Sequence, residues 1–161
     1  MRAVVLADAA LATGKTTREA LASALLRAIG WLGSPAARRA VAFADERSES
    51  VGESRSRVAI ALAGLPEPVL QWEVAGFRTD FGWPDHCVVG EFDGEIKYGR
   101  LLRPGQQPGD VVFAEKRRED ALRAHGLEVV RWTWQDLASF TPTATHLRTL
   151  LGVNPAHAHL L

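Results

Sequence analysis

The stretch FRTDFGWPDHCVVGEFDGEIK, residues 77–97, decides how the rest of the chain is read. It sets acidic residues where a globular protein ordinarily buries apolar ones. Two short strands are legible in it. In the first, Phe77, Thr79, Phe81 and Trp83 alternate with Arg78, Asp80 and Gly82. In the second, Cys87, Val89, Glu91 and Asp93 alternate with Val88, Gly90 and Phe92. Side chains two apart share a face of a strand, so Arg78 points with Asp80, and Glu91 with Asp93. If the strands are antiparallel neighbours, three carboxylates converge at the end of the sheet. Such a cluster repels itself and is costly to desolvate, and a hard cation such as Mg²⁺ is what makes it tolerable. An exposed hairpin with one wet face shows the same alternation. Against that, Val88, Val89 and Phe92 put apolar groups on both faces, the pattern of a central strand.

Working outward, VLQWEV at 69–74 predicts a preceding strand, joined by a tight turn at Ala75-Gly76. Downstream, 101–109 is a Pro/Gly loop and 110–125 a helix rich in charge. That helix carries Glu115, Lys116, Arg117, Arg118, Glu119, Asp120 and Arg123. Taken alone it is a solvated face laced by pairs such as Glu119 with Arg123. A fourth strand follows at 127–133. Thr133 and Asp136 cap a short helix, and 142–151 makes a closing one. Three consecutive strands form a meander, and the helix crosses over to the fourth. The expected fold is α/β (α+β), a four-stranded mixed sheet flanked by helices on both faces.

The part before the sheet is Ala-rich and helical. Helices are expected at 1–12, after a capping box of Thr16 and Glu19, and from Pro35 through Arg38, Arg39 and Phe43. Leu21, Leu25 and Ile29 give the second its apolar stripe. A fourth helix at 48–63 ends at Gly64-Leu65-Pro66, with Val58, Leu62 and Leu65 as its apolar side. Glu53 follows Ser50 by three residues and caps this helix; its other role would be an outer acid of a metal site. Gly14-Lys15-Thr16 is not a P-loop, because Ala9 stands where the first glycine is needed and a helix, not a strand, precedes it. The expected divisions are a helical segment at 1–47, a domain at 48–152 and a tail at 153–161. His157 and His159 in that tail are too few for a metal motif.

With 161 residues, 47% hydrophobic and 24% charged, the chain has material for one good core plus a small appendage. A formal net charge of +0 argues against a clamp that grips nucleic acid by bulk charge. One cysteine, Cys87, excludes an internal disulfide and a Cys-rich zinc site, and its apolar neighbours mark it as a small core residue. No apolar run reaches the roughly 20 residues that cross a membrane, and no signal peptide is legible, so the cytoplasm is expected.

The order of these pieces resembles the PD-(D/E)xK restriction-endonuclease-like superfamily, and within it the very-short-patch-repair-like branch, the DUF559 group of bacterial proteins. The matching pieces are Glu53-Ser54, Arg78-Thr79-Asp80, Glu91-Phe92-Asp93-Gly94, the run from Glu115 to Asp120, and Val129-Val130-Arg131-Trp132-Thr133-Trp134. The resemblance implies a metal-dependent nucleic-acid phosphodiester hydrolase using Mg²⁺ or Mn²⁺, with DNA the expected partner ahead of RNA and no membrane. It implies that Asp80 and Glu91 hold the metal, with Glu53 holding a second metal or its water. Asp93 stands where the family usually has a lysine, and Lys97 is the nearest basic residue to act instead. Arg78, Lys116 and Arg118 are the candidates to meet nucleic acid, with Lys116 and Arg118 pairing either with the acids or with a phosphate. Related proteins carry an upstream winged-helix segment like that of type IV antitoxins, and the helices of 1–45 resemble a shortened connection to it. That supplies an alternative, a nuclease-like nucleic-acid-binding regulator without cleavage. A purely structural interaction domain is the third reading. Pairing into a homodimer stays open.

Overall fold

The computed structural model describes residues 1–94 and 108–153. Its contacts separate two compact units, Met1–Val58 and Ala59–Leu161, and the break falls inside the fourth helix.

The first unit is helical: α1 (Arg2–Ala12), α2 (Arg18–Arg27), α3 (Ser34–Phe43) and the opening turns of α4 (Val51–Leu62). The cap of α2 is Thr17, not Thr16. Thr17 has the extended backbone of a cap residue, and its hydroxyl accepts the Ala20 N–H at 3.2 Å. The unit is held by a buried ion pair. Arg57 donates from Nη1 to Asp8 Oδ2 (2.9 Å) and from Nη2 to the Phe43 carbonyl (2.6 Å), and its guanidinium lies over the Phe43 ring. The other Asp8 oxygen accepts the Asp45 N–H at 2.8 Å. Charges this deep are tolerated only when paired and hydrogen-bonded.

The second unit contains the sheet: β1 (Val69–Val74), β2 (Phe77–Trp83), β3 (Val88–Asp93) and β4 (Glu128–Thr133), in the order β1-β2-β3-β4. β1 with β2 and β2 with β3 are antiparallel, while β3 with β4 is parallel. α5 (Pro108–Ala124) precedes β4, and α6 (Trp134–Ala138) and α7 (Thr141–Leu151) follow it. This is the mixed sheet that the sequence predicts. β3 is buried at every position but Asp93, as a central strand should be. Two apolar layers sandwich the sheet. On one side Ile60, Phe81, Trp83, Phe92 and Trp132 pack with Leu147 and Leu151 of α7. On the other, Val89 packs with Leu122 of α5 and Leu127, and Trp72 and Phe77 lie against them.

Several local expectations are corrected. Leu62 is 80% exposed, and Ile60 is the α4 residue that enters the core beside Leu65, because the helix turns that direction toward the apolar layer. Cys87 is exposed rather than buried. A single 3-10 turn, Pro84–His86, joins β2 to β3, and Cys87 closes it in a left-handed conformation, leaving Val88 to begin the strand. Gln71, in the middle of β1, is also left-handed (φ 52), a costly state for a residue with a side chain. The register holds on either side, Leu70 with Phe81 and Trp72 with Thr79, so Gln71 stands across from Asp80.

Candidate functional site

Continued by one residue, the register that pairs Phe81 with Gly90 would bring Asp80 across from Glu91. Opposed residues of an antiparallel pair share a face. Glu91 lies on the face of Val89, against which α5 packs. The paired register ends at Phe81, and one residue farther along β2 the Asp80 carboxylate itself accepts the Phe92 N–H at 2.8 Å. A side chain thus stands in for a main-chain partner at the residue next to Glu91.

Glu91 is 8% exposed and is clasped by two arginines. Arg118 grips it with both nitrogens, Nη1 to Oε2 at 2.9 Å and Nη2 to Oε1, the fork geometry that suits a carboxylate. The same Nη1 reaches Glu115 Oε1 at 3.1 Å, and Nη2 donates to the Arg78 carbonyl at 2.9 Å. Arg131 sits directly beside Glu91 in the parallel register of β3 and β4. Its Nη2 is 3.2 Å from Glu91 Oε2 and 2.5 Å from Glu115 Oε1. Its Nε lies 3.3 Å from Glu119 Oε2, near enough for attraction but too misaligned for a hydrogen bond, so that buried nitrogen has no hydrogen-bond partner. Residues 115, 118 and 119 are neighbours on one side of α5, which brings all three to the cluster.

Burial pushes the Glu115 carboxyl up, but the hydrogen bond and charge of Arg131 and the charge of Arg118 overcome it and hold the group below the usual range. Burial likewise opposes the charge of both arginines. The bond to Glu91 outweighs it for Arg118, and the bond to Glu115 does so for Arg131.

The other expected residues are distributed as follows. Asp93, half-buried, shares its strand face with Glu91 and pairs in register with Thr133. Glu53 belongs to the first unit, where it caps α4. Its N–H donates to Ser50 Oγ at 3.1 Å and its carboxylate accepts the Glu49 N–H at 2.9 Å, one residue before the partner a standard capping box would use. Arg78 and Lys116 are exposed. Lys97, His157 and His159 lie outside the described residues. Sequence reasoning missed Arg131, Glu115 and Glu119 as parts of the cluster. The available signal was Arg131 itself, a charge inside the apolar run VVRW of β4 and on the opposite face from Val130 and Trp132.

Among the described residues no group of three or more His, Cys, Asp or Glu is arranged to hold a metal ion. Asp80 and Glu91 are oxygen donors of the kind a hard cation takes, but Asp80 Oδ2 is engaged by the Phe92 N–H and both Glu91 oxygens by Arg118. A cation between them would displace Arg118 from at least one Glu91 oxygen.

No family model matches the chain, and no solved structure matches it. It is similar to two proteins of Mycobacterium tuberculosis, "Uncharacterized protein MT2308" of strain CDC 1551 / Oshkosh and "Uncharacterized protein Rv2248" of strain ATCC 25618 / H37Rv. Each is 37% identical over 136 residues, covering 73% of this chain and 50% of the relative. Among the described residues no helix is long and apolar enough to cross a membrane. The chain spans about half the length of the curated relatives it matches.

Proposed function

We propose that the protein is a metal-dependent phosphodiester hydrolase of nucleic acid, DNA ahead of RNA, acting in the cytoplasm. One observation carries this reading: the Asp80 carboxylate accepts the Phe92 N–H, next along β3 from Glu91, whose own carboxylate is forked by Arg118. Bound Mg²⁺ or Mn²⁺ supplies a water of lowered pKa and neutralises charge at the phosphate. Asp80 and Glu91 are the residues to hold it, with Asp93 as an outer acid. Lys97 orients the nucleophile, and Arg118 has the forked donors that suit a phosphate. The second reading is a nucleic-acid-binding regulator that does not cleave. It is favoured by the pairing of Glu91 with two arginines, which leaves that carboxylate already neutralised.

The test is nicking of duplex, mismatched and single-stranded substrates with Mg²⁺ or Mn²⁺, alongside thermal melting. Either cation should raise the melting temperature by mass action. Asp80→Asn should abolish that gain and all cleavage while the fold survives, since an amide oxygen can still accept the Phe92 N–H. Lys97→Ala should keep the thermal gain and slow cleavage. A thermal gain with no cleavage of any substrate would select the regulator. No response to either cation would remove the hydrolase reading.

A further inference from the structure

α2 packs on α3, yet none of its residues is buried. Its inner side, Leu21 and Leu25, is only half covered. Its outer side is apolar as well. Leu26 is 69% exposed, and the turn that follows exposes Ile29 (61%), Trp31 (71%) and Leu32 (106%). Ile29, expected to extend the stripe of Leu21 and Leu25, lies past the end of the helix and outside any core. Four large apolar side chains exposed within seven residues are not scattered surface groups. Such a concentration marks a place where another molecule sits.

The charges on this side point to the occupant. At roughly 3.6 residues per turn, Glu19, Ala22, Ser23 and Leu26 lie together on the side of α2 turned away from Leu21 and Leu25, with Arg27 at its edge. Glu19 in the first turn and Arg27 in the last are both exposed. Arg18, the other base of the helix, is engaged within the chain by Glu46 at 2.5 Å. In a two-fold interface residue i meets residue j and j meets i. Two copies of α2 laid antiparallel therefore set Glu19 of each beside Arg27 of the other. A parallel pairing would set like charges together. The antiparallel crossing also seats Leu26 of one copy over the small Ala22 and Ser23 of the other, a knob over a gap. We infer that the outer face of α2 and the turn at 28–33 form the interface of a homodimer, occupied by a second copy of this chain. Trp31 and Leu32, just beyond Arg27, extend the apolar seam at both ends of the crossing, and the two Glu19–Arg27 pairs form its polar rim. This interface is independent of the Glu91 cluster and of the hydrolase reading.

The experiment is sedimentation equilibrium of the whole chain over a range of concentrations, with the helix content of each variant followed by circular dichroism. The unaltered chain should show a monomer–dimer equilibrium. Leu26→Asp should be monomeric with its helices intact, because the side chain it removes is exposed. Glu19→Arg and Arg27→Glu each oppose like charges twice, and each should weaken the dimer about tenfold. Combined in one chain they restore opposite charges and should recover most of that loss, which decides the matter even where Leu26→Asp fails to fold. Leu62→Asp, at an exposed leucine of the second unit, should leave the dimer unchanged. A chain that stays monomeric at every concentration overturns the inference. So does a dimer that survives Leu26→Asp, or one that Leu62→Asp breaks. Loss of the dimer in Leu26→Asp with no response to the charge reversals would overturn the antiparallel crossing. Co-sedimentation of a monomeric chain with anionic phospholipid vesicles, abolished by Leu26→Asp, would assign the patch to a membrane surface and overturn the second copy.

Discussion

Two glycines on adjacent strands, Gly90 and Gly82, are held by close approach of a tryptophan ring. A Cβ at Gly90 would sit 2.5 Å from the Trp132 ring, and Trp132 is wholly enclosed, stacked on Phe81 with centroids 5.3 Å apart. At Gly82 an added Cβ would meet the Trp72 ring and Cβ at 2.2–2.8 Å. Gly90→Ala should cost about 1–3 kcal/mol, the usual penalty for overpacking a filled core. Urea unfolding should show this as a lower midpoint with unchanged slope. The placement of Asp80 and Glu91 on neighbouring strands could be read from the sequence, because strand alternation and the turn between are local properties. Pairing of Arg118 with an acid was one of two readings open to it, and the structure has it on Glu91; the Arg131 half of the clasp was not legible, because it depends on a parallel pairing of β3 with β4 whose register no local pattern specifies. The close approach at Gly90 was hidden for the same reason, since Trp132 comes from the neighbouring strand.

Among the elements, α6 shows how far a short signal can be trusted. Thr133-x-x-Asp136 predicts its cap, and the structure has both reciprocal bonds, with the Thr133 N–H donating to Asp136 Oδ2 at 2.7 Å. Thr133→Ala should destabilise by about 1 kcal/mol, read by thermal melting. The backbone N–H of Thr133, then its hydroxyl, hold the Asp136 carboxyl below its ordinary value. A depressed carboxyl stabilises the fold above the unfolded pKa of about 3.9 and loses that contribution as pH falls through the folded value. Asp136→Asn should therefore flatten the acid limb of the stability profile and leave neutral-pH behaviour close to that of Thr133→Ala. At α2 the same kind of signal misplaced the cap by one residue. Thr16 and Thr17 both carry the needed oxygen, and only the backbone conformation at Thr17 chooses between them.

Across the whole molecule the zero net charge conceals a division. Residues 1–58 hold nine Lys/Arg against six Asp/Glu, net +3, and residues 59–161 hold ten against thirteen, net −3. The sheet-bearing unit cannot draw nucleic acid by bulk attraction, so any binding through it rests on few phosphate contacts. Each contact contributes roughly −0.9 to the slope of log affinity against log salt, so a shallow slope is expected from a salt titration of duplex binding. The helical unit depends instead on one buried pair. Asp8→Ala strands Arg57 without its carboxylate and should cost about 3–5 kcal/mol. Hydrogen exchange should then rise across α1 and α3 while β3 stays protected. The left-handed Gln71 bears on a different hazard. β1 is the outermost strand on its side of the sheet, and strands in that place offer a template on which other chains can grow. A left-handed residue halfway along breaks the even row of amide groups that such growth requires. The local strain at Gln71 thereby works against aggregation into fibrils.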